Sequence, residues 1–166
     1  MASASAGSGS EPPTEPVTQA PTAMTEWYAE DAFWVDVRPL LYGAERMQAA
    51  PGEVSGALRL AGALPGQRVL DMPCGLGRHA IELARRGFPV TAVDLCGPYL
   101  EQLRREARGL PVRVVQQDMR HFVEPSSHDL ALCLFTSLGY GTAEDDAAIL
   151  QNLRETLRPG GRLITI

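Results

Sequence analysis

Short apolar runs alternate with amphipathic stretches through the second part of the chain. The stretches GRHAIELARRG (77–87) and GPYLEQLRREARG (97–109) repeat apolar residues at helical spacing and end in glycine, which is typical of helices. Compact apolar segments flank them: QRVLD (67–71), FPVTAVD (88–94), PVRVVQQD (111–118), HDLALCLF (128–135) and RLITI (162–166). The pattern predicts five strands that alternate with helices.

A third helix is predicted between the fourth and fifth strands. Thr142, followed three residues later by Asp145, is an approximate capping box that opens this helix. The residues predicted to point inward from it are Ile149, Leu150, Leu153 and Leu157, and Pro159-Gly160-Gly161 is predicted to end it.

Strands that alternate with helices predict an α/β fold. Right-handed connections between successive strands give a doubly wound, Rossmann-like parallel sheet with helices on both faces. In such sheets, ligands bind beyond the carboxyl ends of the strands. The residues predicted to end the first four strands are Asp71, Asp94, Asp118 and Phe135. We therefore expect the ligand site around these four residues.

Composition divides the chain into three segments. Residues 1–23 hold too little apolar surface to offset the entropy of ordering and are predicted to be a disordered tail. Residues 24–66 are predicted to be an N-terminal helical and aromatic lid segment, because five of the ten aromatic residues fall there and apolar residues follow at helical spacing. Residues 67–166 are predicted to form the sheet domain.

Composition and charge narrow the range of functions. All fifteen basic residues are arginine, so chemistry that needs a lysine amine, such as a Schiff base or a Walker A motif, is excluded. The net charge of −5 gives no reason to expect nucleic acid or an anionic membrane, and no apolar run approaches a membrane span. Three cysteines without CxxC spacing and the lack of a signal-peptide pattern predict a cytoplasmic protein. No residues at metal-ligand spacing suggest a metal site.

The glycine corner, residues 72–77 (MPCGLG), gives the most specific signal. Gly75, Gly77 and Ala80 fit the G-x-G-x-x-G/A pattern, which lets the backbone approach a ligand at a helix N-terminus. A nicotinamide dinucleotide or S-adenosylmethionine could bind there. Asp71 favours the second, because a carboxylate about 4 Å from a pyrophosphate costs roughly 4 kcal/mol per charge pair, whereas a sulfonium and an ammonium attract it.

Two further carboxylates fit a nucleoside. Asp94 is placed to accept from both hydroxyls of a ribose, which either cofactor contains. Asp118 is placed to accept from the exocyclic amine of adenine, with Leu95 and Met119 available to pack on the ring.

In this order and spacing, VLDMPCGLG, VTAVD, QQDM, HDLALCLFTSLGY and LRPGGRLITI resemble the motifs of the class I S-adenosylmethionine-dependent methyltransferases. The resemblance covers about residues 24–166 and is closest to the bacterial small-molecule or uncharacterised branch. It implies S-adenosyl-L-methionine as the cofactor, bound by Asp71, Cys74, Gly75 and Gly77 at the methionine end, Asp94 and Leu95 at the ribose and adenine, Asp118 and Met119 at the adenine, and Phe135 near the sulfonium. Pro73 departs from the family, which most often has glycine there.

Methyl transfer needs mainly orientation of the nucleophile, so the sequence assigns no catalytic residue. The resemblance places the aromatic residues of the lid segment and the loop TSLGY (136–140) near the methyl group, and ordinary core packing of these aromatics stays an alternative. His79 could serve as a base, but we expect it to face solvent or to cap its helix. Arg46 and Arg78 could reach the cofactor carboxylate, but we expect them on the surface.

A small-molecule acceptor, or a peptide, is predicted because FTSLGY lacks the Pro-Pro signature of amino-methylating nucleic-acid enzymes. An NAD(P)-dependent oxidoreductase and a module that binds S-adenosylmethionine without turnover stay open as alternatives. The family fold normally continues past the fifth strand to an antiparallel pair. We therefore expect a truncated chain whose RLITI edge is open to self-association.

Overall fold

The computed structural model of the chain describes residues 26–135 and 137–166. The predicted disordered tail, residues 1–23, lies outside the described residues, and so does Thr136. A short 3-10 turn, Trp27–Ala29, is followed by the helices α1 (Asp31–Leu41), α2 (Ala44–Ala61), α3 (Arg78–Arg85), α4 (Gly97–Glu106) and α5 (Ala143–Thr156). The strands are β1 (Val69–Asp71), β2 (Val90–Asp94), β3 (Val112–Gln116), β4 (His128–Cys133) and β5 (Leu157–Thr165).

The five strands form one parallel sheet in the order β3-β2-β1-β4-β5. This is the doubly wound α/β fold that the alternation of strands and helices predicts. The strand order reverses between β1 and β4, so the crevice at their carboxyl ends is the expected ligand site. The corner after β1 and the loop after β4 both open at this point.

Helices cover both faces of the sheet because successive residues of a strand point to opposite sides. Val69 on β1 joins an apolar cluster with residues of α2, α3 and α4. Leu70, the next residue, joins a second cluster with Ile149 and Leu153 of α5. The alternation divides the core into two layers, with Asp71 on the same side as Val69.

The described part of the lid segment (24–66), residues 26–66, contains the 3-10 turn and two helices of different character. Helix α2 buries Val54, Ala57 and Ala61 against the sheet domain and ends at Gly62, whose φ of 58° is the left-handed geometry of a helix C-cap. Helix α1 has no fully buried residue, and Leu40 on it is 81% exposed. The lid segment is therefore anchored by α2, whereas α1 lies on the surface over the carboxyl edge of the sheet.

The capping box at the start of α5 is present, with Thr142 and Asp145 bonded to each other's backbone N–H. Other details of the C-terminal prediction are wrong. Helix α5 ends at Thr156, and the Pro-Gly-Gly stretch lies within β5, at an irregularity between Leu157, which pairs with His128, and Arg162, which pairs with Leu130. Leu150 is 42% exposed rather than buried, whereas Ile149 and Leu153 face the core.

Two of the four predicted strand ends are also displaced. Strand β3 ends at Gln116 and β4 at Cys133, so Asp118 and Phe135 each lie two residues beyond their strands. The backbone carbonyl of Asp94 accepts a hydrogen bond from the backbone N–H of Gln117, one residue beyond the end of β3. Asp71 and Asp94 end β1 and β2 as predicted.

Candidate active site

A cavity of about 400 Å³ opens at the carboxyl edge of the sheet, between the glycine corner and α1. It is bordered by seven residues that the sequence places in a cofactor site: Cys74, Gly75, Asp94, Leu95, Asp118, Met119 and Phe135. Asp71 and Gly77, also predicted for that site, are not among its lining residues. The volume lies within the range of small-molecule pockets.

The glycine corner needs its glycines for two separate reasons. Gly75 and Gly77 have φ angles of 54° and 75°, in the left-handed region that side chains with a Cβ rarely adopt. A Cβ on Gly75 would collide with the Tyr42 hydroxyl, and one on Gly77 with Leu103. Gly75 therefore faces the cavity wall formed by the lid segment, whereas Gly77 allows α3 and α4 to pack closely.

Asp71 lies beneath the glycine corner. It is 1% exposed, and its Oδ2 has no hydrogen-bond partner among the described residues. Burial, and then the negative charge of Asp94, raise the pKa of Asp71 to about 7, although the Ala80 backbone and Arg78 act in the opposite direction. Asp71 is not among the residues that line the cavity, and its contact with a cofactor stays a prediction.

Asp94 is held in place by the backbone. Its Oδ2 accepts from Gly75 N at 2.7 Å and its Oδ1 from Cys96 N at 2.9 Å. Burial raises its pKa, and the backbone hydrogen bonds from Cys96 and Gly75 oppose that rise. Each carboxylate oxygen keeps a second lone-pair direction, so the oriented group can still accept from a diol.

Asp118 is part of an ion-pair network at the rim of the cavity. Arg120 bonds it through Nε at 2.9 Å and Nη2 at 2.6 Å, and also pairs with Glu26 at 2.6 Å and Asp145 at 3.4 Å. Burial raises the pKa of Asp118, but the Arg120 side-chain and backbone hydrogen bonds outweigh that effect and hold it below its ordinary value. The network joins the lid segment, the loop after β3 and the start of α5.

Aromatic rings of the lid segment form the outer wall of the cavity. Trp27 contacts Phe33 and Tyr140 with ring centroids 4.9 and 5.1 Å apart, and Trp34 Nε1 donates to Tyr28 O at 2.7 Å. These rings pack on one another and also border the cavity. The place of these aromatics near the methyl group, as a lid, stays a prediction.

A buried polar cluster on the opposite wall corrects the sequence analysis. Arg78 and His79, expected at the surface, are 8% and 5% exposed, because Glu53 on α2 lies over the start of α3. Arg78 Nη1 pairs with Glu53 Oε2 and donates to Arg46 O at 2.9 Å. His79 Nε2 lies 2.8 Å from the same Glu53 oxygen.

The residues that shape the cavity without having been assigned to it from the sequence include Tyr42 and Arg120, which line it, and Glu53, which pairs with the lining residues Arg78 and His79. Each contacts residues that are distant in the chain, as Arg120 contacts Glu26 at a separation of 94 positions. The only local signals are Asp118-x-Arg120, which permits a short-range ion pair, and Tyr42-Gly43, which marks the break between α1 and α2.

The three cysteines, Cys74, Cys96 and Cys133, are buried free thiols. Burial raises the pKa of Cys96 and of Cys133 to about 11, and it also raises that of Cys74. Such thiols are protonated near neutral pH and are poor nucleophiles. Among residues 26–135 and 137–166, no acidic, cysteine and histidine side chains group in a way that could hold a metal ion. The helices of this part of the chain are too short or too polar to cross a bilayer.

The family model described as "Methyltransferase domain" matches residues 69–161, more than half of the chain. The S-adenosyl-L-methionine-dependent Diels-Alderase iliD of Neonectria sp. (strain DH2) is 32% identical over 82% of this chain and 50% of its own length. A putative methyltransferase of Geobacillus sp. (strain WCH70) is 31% identical over 82% of this chain and 56% of its own length. The chain therefore spans about half the length of these relatives.

Among solved structures, a Leishmania major protein described as a SAM-dependent methyltransferase superposes with a TM-score of 0.69. It is 23% identical, and the match covers 84% of this chain and 60% of that one. This similarity supports the fold. The family model that matches is that of the methyltransferases, and none of these comparisons supports the oxidoreductase alternative.

Proposed function

The chain belongs to the family of S-adenosylmethionine-dependent methyltransferases, and we propose that it binds S-adenosyl-L-methionine in the cavity and transfers the methyl group to a small-molecule or peptide acceptor. The observation that carries the proposal is the placement of Asp94. Two backbone N–H groups orient this carboxylate at the end of β2, beside a glycine with no side chain. A nucleoside diol fits this arrangement.

The residues that border the cavity fit the cofactor from end to end. We assign the methionine part to Cys74 and Gly75, the ribose to Asp94, and the adenine to a slot between Leu95 and Met119. Asp118 would accept from the adenine amine with an oxygen that Arg120 already orients. Asp71 and Gly77, which the sequence also assigns to the methionine end, support the glycine corner from below.

The cofactor supplies an activated methyl group on a cationic sulfur, so the protein has mainly to orient the acceptor and exclude water. Phe135 borders the cavity after β4 and is assigned to the wall near the sulfonium. The lid segment closes the outer side with aromatic rings. An acceptor with apolar or aromatic surface fits such a wall.

We propose further that residues 67–166 form the cofactor domain and residues 24–66 its lid, in a cytoplasmic protein of bacterial type. The acidic net charge of −5 supports an acceptor other than nucleic acid. The outer edge of β5 has no strand partner among residues 26–135 and 137–166, which supports self-association through that edge or cover by further chain.

Thermal unfolding with four ligands tests the cofactor. S-adenosylmethionine and S-adenosylhomocysteine should each raise the melting temperature, whereas NAD⁺ and NADH should not. Stabilisation by NAD⁺ or NADH alone would contradict the proposal.

The Asp94→Ala variant tests the placement of the ribose. It should weaken binding of S-adenosylhomocysteine at least about tenfold in a calorimetric titration, because about 1.4 kcal/mol of hydrogen bonding is lost. Asp36→Ala, which changes an exposed carboxylate on α1, is the matched control. Equal affinity in both variants would remove Asp94 from the site.

Transfer itself is tested with S-adenosylmethionine labelled in its methyl group and a panel of small amines, phenols, carboxylates and short peptides. Label recovered in an acceptor supports the transferase. The similar protein of Neonectria sp. is named a Diels-Alderase and not a methyltransferase. Methyl transfer by the present chain must therefore be measured directly. Binding without transfer to any member of the panel would favour the alternative of a cofactor-binding module.

A further inference from the structure

We propose that His79, oriented by Glu53, is the general base that takes the acceptor's proton during methyl transfer. The inference deepens the proposed function and rests on it. It concerns the buried wall of the cavity, for which the resemblance to the family implies no role.

The geometry pairs a carboxylate with an imidazole at the cavity. Glu53 on α2 reaches across to the first turn of α3, where its Oε2 lies 2.8 Å from His79 Nε2. The imidazole is 5% exposed and borders the cavity. Glu53 is also paired with Arg78, which fixes the carboxylate from a second direction.

The same pairing sets the tautomer of the ring. Partial burial raises the pKa of Glu53, but hydrogen bonds from Arg78 and His79 outweigh it and keep the carboxyl ionised near neutral pH. An ionised carboxylate only accepts, so Nε2 carries the hydrogen and Nδ1 keeps a lone pair. Burial lowers the pKa of His79, Glu53 opposes that effect, and Arg78 adds to it, which leaves the ring neutral and able to take a proton.

The ring is also placed beside the expected reaction centre. It stacks on Phe135 with centroids 5.6 Å apart and planes 6° from parallel, and Arg78 covers the same phenyl ring at 4.8 Å. Phe135 follows β4 and has a φ of 60°, an uncommon conformation for a residue with a side chain. The imidazole thus lies against the residue assigned to the sulfonium wall.

The step is balanced without any further reactant. The lone pair of an acceptor O–H or N–H group forms the new bond to the methyl carbon, and the carbon–sulfur bond breaks with its electrons going to sulfur. The acceptor proton goes to Nδ1 of His79, and the imidazolium later releases it to water. Glu53 is a positioning residue, because it holds the ring and stabilises its charged form without touching the acceptor.

A proximity measurement tests this without knowledge of the acceptor. The pKa of each histidine is measured by NMR on chain labelled with ¹⁵N-histidine, in complexes with S-adenosylmethionine and with S-adenosylhomocysteine. The two ligands differ in the sulfonium charge, which should lower the pKa of His79 by about one pH unit in the first complex. The charged groups that face His79 are Glu53 on α2 and Arg78 on α3, and both are present in each complex.

His128 is an internal control. It is also buried and also has a lowered pKa, but it begins β4 at the opposite edge of the sheet, so the two complexes should give it the same pKa. An equal pKa for His79 in both complexes would overturn the assignment while cofactor binding stands. Failure of both ligands to bind would refute the proposed function and this inference with it.

Variants test the chemistry once an acceptor has been found with the labelled methyl donor. His79→Gln should lower kcat roughly 100-fold without changing the affinity for S-adenosylhomocysteine. Glu53→Gln should move the acidic limb of the pH–rate profile, which a packing role alone would not do. His121→Gln, at an exposed histidine, is the control and should match the unmodified chain. A kcat for His79→Gln within threefold of the control would contradict the proposal.

Discussion

The two walls of the cavity both place an arginine against carboxylates, but they do so in different surroundings. On the wall formed by α2 and α3, the Arg78 and Glu53 side chains are 7% and 27% exposed. At the rim, Arg120 and its partner Asp118 are 17% and 19% exposed, but Glu26, its partner in the lid segment, is 53% exposed. Desolvated ion pairs are costly to break, whereas exposed pairs contribute little and are screened by salt. We infer that the first wall is a fixed part of the site and the second an adjustable contact.

The same contrast distinguishes the two helices of the lid segment. Helix α2 contributes buried residues to the core and Glu53 to the fixed wall. Helix α1 contributes no fully buried residue, and in the turn segment before it Glu26 and Tyr28 contact Arg120. Contacts of this kind open at low free-energy cost. The boundary between the anchored and the adjustable part therefore lies near Tyr42, between α1 and α2.

Arg78→Ala should have the largest effect on stability. It leaves Glu53 partly buried without its cation, and we expect a loss of about 3 kcal/mol in the free energy of unfolding. Urea unfolding measures this loss, with Arg85→Ala, an exposed residue of the same helix, as the control. A loss below that of the control would mean that the two walls do not differ.

Asp71→Asn tests a second buried charge behind the cavity, because the unfolding free energy of this variant should depend less on pH than that of the unmodified chain. The pKa of Asp71 is raised from 3.8 to about 7 in the folded state, so this group stabilises the fold at low pH and loses that contribution as the pH rises through 7. When the pH is raised from 5 to 8, the free energy of unfolding should therefore fall by roughly 2 to 3 kcal/mol less in Asp71→Asn than in the unmodified chain. Parallel curves of unfolding free energy against pH would show that the carboxyl is not titrating in this range.

Arg120→Ala should have the smallest effect, about 1 to 2 kcal/mol in dilute salt and less in 1 M NaCl, because Asp118 loses a partly buried cation whereas the Glu26 contact is mostly exposed. Urea unfolding at the two salt concentrations measures it, and Arg104→Ala, at an exposed position on α4, is the control. The loss caused by Arg78→Ala should change much less with salt. A salt-independent loss of several kcal/mol for Arg120→Ala would remove the distinction between the walls.

The sequence predicts the fold well because each strand and each amphipathic helix of the sheet domain is a local pattern. The family predicted from the motifs is confirmed by the match to residues 69–161. Asp94 was readable in the same way, because it ends a short strand whose four preceding residues, 90–93, are all buried. The assignments of individual residues to the cofactor stay predictions.

What the sequence does not reveal depends on distant partners. An eight-residue helix such as α3 reads as amphipathic with Arg78 and His79 outward, and nothing local shows that α2 covers that side. The end of α5 was misread for a related reason. Pro159 and the glycines after it resemble a helix stop, but they lie inside β5, because the residues on either side of them pair with β4.

The close approach of Tyr42 to Gly75 has a practical consequence. A molecule that reaches the Gly75 backbone must share space with that phenol, which sits where α1 meets α2. Both tryptophans of the protein, Trp27 and Trp34, lie just before it and face the same cavity. Binding of a ligand in the cavity should therefore change the fluorescence of these tryptophans. The chain thus carries its own optical probe of binding, and no dye has to be attached.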